Sequence, residues 1–190
     1  MATDPKAFIS PEDYLTRERQ AFEKSEYWNG QVFAMAGASE KHAIIVSNLT
    51  AAFVNSLRGK PCRVYGSDLR LHIPATGLYT YPDVTVACGE RKFLDNQFDT
   101  LLNPILIIEV SSPSSKDYDR GAKFESYRSI ASLKEYLTIA QDRVLIEQLT
   151  RDTGERWVFQ EYRDPNGTVP LISLAPLSLG IADIYQGVND

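Results

Sequence analysis

The sequence predicts an α/β (α+β) fold, with helices packed against a sheet and at least one β-hairpin, on three observations. A long stretch from Ser39 to Leu57 repeats apolar residues at helical spacing, several short runs alternate or are continuously apolar in the manner of strands, and turn signals such as Asn29-Gly30 punctuate them. At 190 residues the chain can bury one substantial core, and no composition shift or charge run marks a linker, so a single domain over 1–190 is expected.

Taken in order, Ser10 as N-cap, Pro11 at the first helical position and Asp13 three residues on start a short helix over 10–23. Asn29-Gly30 is a hairpin turn between two strands, the first carrying Glu26. In the 39–57 helix Ala43, Val46, Leu49, Phe53 and Leu57 form the apolar stripe, with His42 on it. After Gly59-Lys60-Pro61, CRVYGSDLRLHIP reads as one half-buried strand, with Leu69, Leu71 and Ile73 on one face and Asp68, Arg70 and His72 on the other. YTYPDVTVA alternates again, and Pro82 suits a strand beginning. A polar excursion over 88–103 precedes Ile105–Val110, a buried strand whose C-terminal end carries Glu109. A carboxylate there must be solvated, paired or bound to a cation, because burial alone costs several kcal/mol. A helix over Asp117–Ile130 follows, with Phe124, Tyr127 and Ile130 on one stripe and Lys123 beside it. KEYLTIA, RVLIEQL and RWVFQEYR are three further strands.

Composition sets limits on function. With 43% hydrophobic and 24% charged residues the chain is globular rather than disordered or fibrous. No apolar run approaches the roughly 18 residues that span a bilayer. Cys62 and Cys88 have no metal-ligand spacing and the N-terminus lacks a secretory pattern, so a cytoplasmic location is expected. A net charge of −5 argues against a simple DNA-binding module and leaves DNA contact to a local basic patch or to bridging cations.

If the strands bearing Asp83 and Glu109 are antiparallel neighbours, the start of one lies beside the end of the other and two carboxylates meet. Such a pair suits a hard cation. Mg²⁺ takes oxygen ligands and keeps several waters, so two carboxylates and a backbone carbonyl such as that of Val110 make a plausible set, with Mn²⁺ as the alternative ion. A lysine nearby, for which Lys123 is the candidate, would then orient the attacking water or stabilise charge on phosphorus. Blander assignments exist for each residue: Lys123 as the i,i+4 partner of Asp119, His42 as a hydrogen-bonded core histidine, Asp68 as the partner of a basic group, Glu26 likewise.

Pro82-Asp83, Glu109-Val110-Ser111-Ser112-Pro113-Ser114 and Asp117-Tyr118-Asp119-Arg120-Gly121-Ala122-Lys123-Phe124, with the Glu26-Tyr27 hairpin, Ala36-Gly37-Ala38-Ser39 before His42, and Ser67-Asp68, resemble the Uma-two family. That family is described as endonucleases within the PD-(D/E)XK restriction-endonuclease-like superfamily. The resemblance covers nearly the whole chain and implies a restriction-endonuclease-like core, a central mixed β-sheet flanked by helices with extra β-hairpins, with metal-binding Asp83 and Glu109. It departs from the superfamily at Ser111, where a lysine is expected two residues after the acid, and it implies that Lys123 replaces that lysine from the following helix. Glu26, His42, Asp68, Ser111 and Asp119 become site-lining candidates. The implied function is a Mg²⁺-dependent endonuclease acting on DNA. The alternative is a non-catalytic binding or oligomerisation module on the same fold. A homodimer is expected, since an enzyme that cuts both strands of a duplex often presents two sites across a two-fold axis.

Overall fold

The computed structural model describes residues 8–35, 37–113, 115–154 and 156–188, so Ala36 and Ser114 of the quoted motifs lie outside the described residues. The elements run α1 (Pro11–Glu18), β1 (Ser25–Trp28), β2 (Gln31–Ala34), α2 (Glu40–Ser56), β3 (Cys62–Gly66), β4 (Arg70–Ile73), β5 (Leu78–Thr80), β6 (Val84–Cys88), β7 (Thr100–Leu101) and β8 (Leu106–Ser111). A broken helix follows: α3 (Lys116–Tyr118), a π-helical turn (Asp119–Lys123) and α4 (Phe124–Tyr127). β9 (Glu135–Ala140), β10 (Ile146–Arg151), β11 (Trp157–Tyr162), β12 (Thr168–Pro170), β13 (Ser178–Gly180) and α5 (Ile181–Ile184) complete the chain.

The strands form a six-stranded mixed sheet in the order β11-β10-β9-β8-β6-β3, a five-stranded sheet in the order β2-β1-β5-β4-β7, and the β12–β13 hairpin. In the larger sheet β8 runs parallel to β9 and antiparallel to β6. β8 is buried along its whole length, as a continuous apolar run covered on both faces should be. On one face α2 and the C-terminal segment pack Ile45, Leu49 and Phe53 against Val84, Val86, Ile108 and Leu137. Each such side chain contributes about 1.5–3 kcal/mol by leaving water. On the other face Tyr127 and Ile130 join Leu71, Ile73 and Leu78 of the smaller sheet around Ile107 and Tyr136.

Local chemistry explains most boundaries. Ser10 accepts from the Asp13 amide and Ser39 from the His42 amide, fixing the starts of α1 and α2. Asn29 and Gly30 both take positive φ (49° and 77°), as a type I′ hairpin turn requires. The α2 stripe differs from the expected one. Ile45, Leu49 and Phe53 are its buried residues while Ala43 is exposed, because the helix presents its i, i+4, i+8 row to the sheet.

The predicted single strand over CRVYGSDLRLHIP is two strands in different sheets. A turn over Ser67–Leu69, in which the Leu69 amide returns to the Gly66 carbonyl, separates β3 from β4. YTYPDVTVA likewise divides into β5 and β6, with Asp83 at the crossing between the sheets.

Cys62 and Cys88 face each other across β3 and β6 and are joined in a disulfide. Cysteine usage therefore gives no support to the expected cytoplasmic location. No helix among the described residues is long and apolar enough to cross a membrane.

Candidate active site

The antiparallel register Val84↔Ile108 carries Asp83 to the level of Glu109. Asp83 Oδ2 accepts a 2.7 Å hydrogen bond from the Val110 amide and lies 3.2 Å from His42 Nε2, so it is held by β8 on one side and α2 on the other. Glu109 shares the sheet face of Ile107 and points toward the broken helix. Its Oε1 accepts from Lys123 Nζ at 3.1 Å and from the Tyr127 hydroxyl at 2.6 Å.

Lys123 is the centre of the cluster. Its ammonium lies 3.1 Å from Glu109, 3.2 Å from Glu26 and 3.7 Å from Asp119. Glu26, brought from β1, is itself fixed by the Thr80 hydroxyl at 2.5 Å and the Tyr118 hydroxyl at 3.5 Å. The π-helical turn buries both of its charged ends, Asp119 and Lys123, against the sheet; such turns recur where a helix must aim side chains at a site.

Burial sets the electrostatics. It pushes the Glu109 carboxyl up to about 8, against the pull of Lys123, and the negative charges of Asp83 and Asp119 add to the rise. Burial also raises Asp119, again opposed by Lys123. Burial disfavours charge on Lys123, yet Glu109, Glu26 and Asp119 outweigh it and hold the ammonium above its ordinary range. The hydrogen bond to Asp83 raises His42, although burial works against it.

These groups open into a cleft of about 840 Å³, whose walls include His42, Asp83, Glu109, Val110, Asp119 and Lys123. Of the residues anticipated from sequence, Asp83, Glu109, Val110, His42, Asp119 and Lys123 come together there, and Glu26 reaches them through Lys123.

Two candidates belong elsewhere. Asp68 sits in the turn between β3 and β4 with its side chain 99% exposed and paired with Lys24 at 2.8 Å, because the chain leaves the sheet at that point. Ser111 ends β8 and lines a small pocket with Arg120 and Glu147, so the position at which the resemblance leads one to expect lysine does not line the cleft. Tyr127 was legible only as a stripe residue. Its spacing of four from Lys123 is the signal, since both then reach one carboxylate oxygen.

The residues fit a divalent cation in a specific way. Among the described residues no three His, Cys, Asp or Glu side chains form a ready cage. Mg²⁺ needs no such cage, because it keeps several waters and one or two carboxylates suffice. Asp83 engages protein donors through Oδ2 and Glu109 through Oε1, and no described residue donates to the second oxygen of either. Two carboxylate oxygens thus remain for a cation at the cleft wall.

The family model named Uma2, described as "Putative restriction endonuclease", matches residues 11–182. The chain belongs to the Uma2 family. This Uma2 protein is 38% identical over 180 residues to uncharacterized protein slr1290 of Synechocystis sp., covering 95% of the chain and 93% of that protein. It is 36% identical over 161 residues to sll1609 of the same organism, covering 85% of the chain and 91% of the relative. Its fold is similar to a crystal structure of "a putative nuclease belonging to DUF820" from Anabaena variabilis. The TM-score is 0.77 at 18% identity, over 95% of this chain and 99% of that one.

Proposed function

We propose that this Uma2 protein is a Mg²⁺-dependent endonuclease that hydrolyses phosphodiester bonds in DNA, with Asp83 and Glu109 holding the cation and Lys123 acting on the substrate. The observation that carries this is the meeting of Asp83, just before β6, and Glu109, on the antiparallel β8, in one cleft, each with a carboxylate oxygen that no described residue engages, beside a buried ammonium. The Val110 carbonyl, next to both acids, would add a neutral ligand. When bound, the cation would supply Lewis acidity toward the phosphate and a more acidic water.

The chain's own groups supply the rest. In hydrolysis a water oxygen bonds to phosphorus, the ester P–O bond breaks, and the departing oxygen takes a proton. The Val110 amide and His42 fix Asp83 so that its open oxygen has one direction. Lys123 is held protonated by three carboxylates, which suits it to donate hydrogen bonds to a non-bridging phosphate oxygen and to orient water rather than to remove a proton. Glu26 keeps that ammonium in place, and Thr80 and Tyr118 keep Glu26 in place.

The test combines Mn²⁺ binding, followed by the loss of free-ion electron paramagnetic resonance signal, with cleavage of supercoiled DNA in Mg²⁺. Wild type should bind and cut, and Asp83→Ala should do neither. Binding and cutting that survive Asp83→Ala would place the activity elsewhere.

A further inference from the structure

The cationic side chains that line the cleft are already engaged by the protein. Lys24 Nζ donates to the Ser67 carbonyl and to Asp68, both at 2.8 Å, His42 faces Asp83, and Lys123 lies among its carboxylates. Glu23, Asp83, Glu109 and Asp119 line the same cleft. On a chain of net charge −5, such a cleft offers few cations to a phosphate backbone. Counterion release, the main source of affinity for a duplex, is correspondingly small.

One wall has the opposite character. Phe22, on the segment between α1 and β1, lines the cleft with its side chain wholly in water (107% relative exposure), and Met35, just beyond β2, lines it too. Most large apolar side chains of this protein are buried in its cores. A hydrated phenyl ring gains free energy when a flat apolar group covers it. Phe22 lines the same cleft as Asp83, Glu109 and Lys123, so a substrate of the proposed reaction could cover the ring while its reacting group lies at the acids. A nucleobase attached to the scissile phosphate's strand meets both conditions, and base stacking on an aromatic ring gives affinity without phosphate contacts.

We infer that the cleft takes nucleic acid through an unpaired base stacked on Phe22, so that the substrate is single-stranded or locally unpaired rather than continuous duplex. This rests on the nuclease function proposed above and narrows its substrate class. An unpaired base also avoids the cost of unstacking, which a base drawn from a duplex must meet.

The test uses the full chain in Mg²⁺ with oligonucleotides whose linkages are phosphorothioates, to slow turnover, and which carry the fluorescent base 2-aminopurine. The wild type should bind the single strand more tightly than the matching duplex and quench the probe. The salt dependence should be shallow, that of roughly one or two phosphate contacts. Phe22→Ala should weaken single-strand binding roughly tenfold and abolish the quench. Phe22→Trp should retain both, and all three proteins should melt together because the ring packs on nothing. Duplex binding as tight as single-strand binding, with a steep salt slope and no effect of Phe22→Ala, would overturn this inference and leave the nuclease function standing. Failure to bind or cut any nucleic acid would overturn both.

Discussion

Glu109 and Glu135 are both buried and stand on the neighbouring parallel strands β8 and β9, Glu135 opposite Leu106 at the start of the ladder and Glu109 opposite Thr138 farther along it. They differ in how their carboxylates are satisfied. Glu135 accepts from Gln148 Nε2, from the Ile172 and Ser173 amides and from the Ser173 hydroxyl, which engages both oxygens and ties the C-terminal segment over the sheet. Among the described residues Glu109 accepts through Oε1 alone, from Lys123 and Tyr127, and it lines the cleft. Burial of an acid is common to both; incomplete satisfaction beside a cleft is what singles out Glu109 for the proposed role and leaves Glu135 a structural one.

The comparison breaks most sharply through turnover. Glu109→Gln keeps the shape and loses the charge, and it should lower DNA cleavage at least roughly a thousandfold with little change in melting temperature. Glu135→Ala should act the other way. It removes the acceptor of four donors, of which the Gln148 amide is buried and the Ile172 and Ser173 groups are half-buried, and should cost about 1–3 kcal/mol by urea denaturation, while folded molecules keep their turnover. Lys123→Ala should reduce kcat roughly a hundredfold, because its charge matters most as the transition state forms. Glu26→Gln should lower kcat roughly tenfold and have almost no effect in a Lys123→Ala background, since Glu26 acts through the lysine.

The smallest effect sharpens the comparison through pH. Burial lifts Glu109 to about 8, so under the proposed role protons should compete with a cation for that carboxylate once pH falls below that value. Mn²⁺ affinity should therefore decline as pH drops from 8 toward 6. An unburied glutamate would show that decline only near its ordinary value of about 4.3.

Much of this was legible in the sequence because local chemistry specified it. Pro104 and Pro113 bound an apolar run that reads as a buried strand, Asn29-Gly30 demands a hairpin, and Ser39 caps a helix. Antiparallel pairing then brings Asp83 to Glu109, a consequence of topology that the motif already implied. Asp68 was misplaced because the alternation of Leu69, Leu71 and Ile73 runs straight through the turn before β4, and periodicity does not register a change of sheet. The partnership of Glu26 with Lys123 spans β1 and the π-helical turn, and Glu135 carries no local sign of its four donors. Long-range satisfaction of charge leaves no trace in spacing.

The most direct measurement sets the two glutamates side by side. Glu109→Gln and Glu135→Gln are assayed for cleavage in Mg²⁺ at a temperature where circular dichroism reports both folded, with melting curves recorded on the same samples. The predicted result is a folded, inactive Glu109→Gln protein and a destabilised Glu135→Gln protein that still cuts at a rate near wild type. Cleavage by Glu109→Gln at the wild-type rate would contradict the assignment of Asp83, Glu109 and Lys123 as the active site.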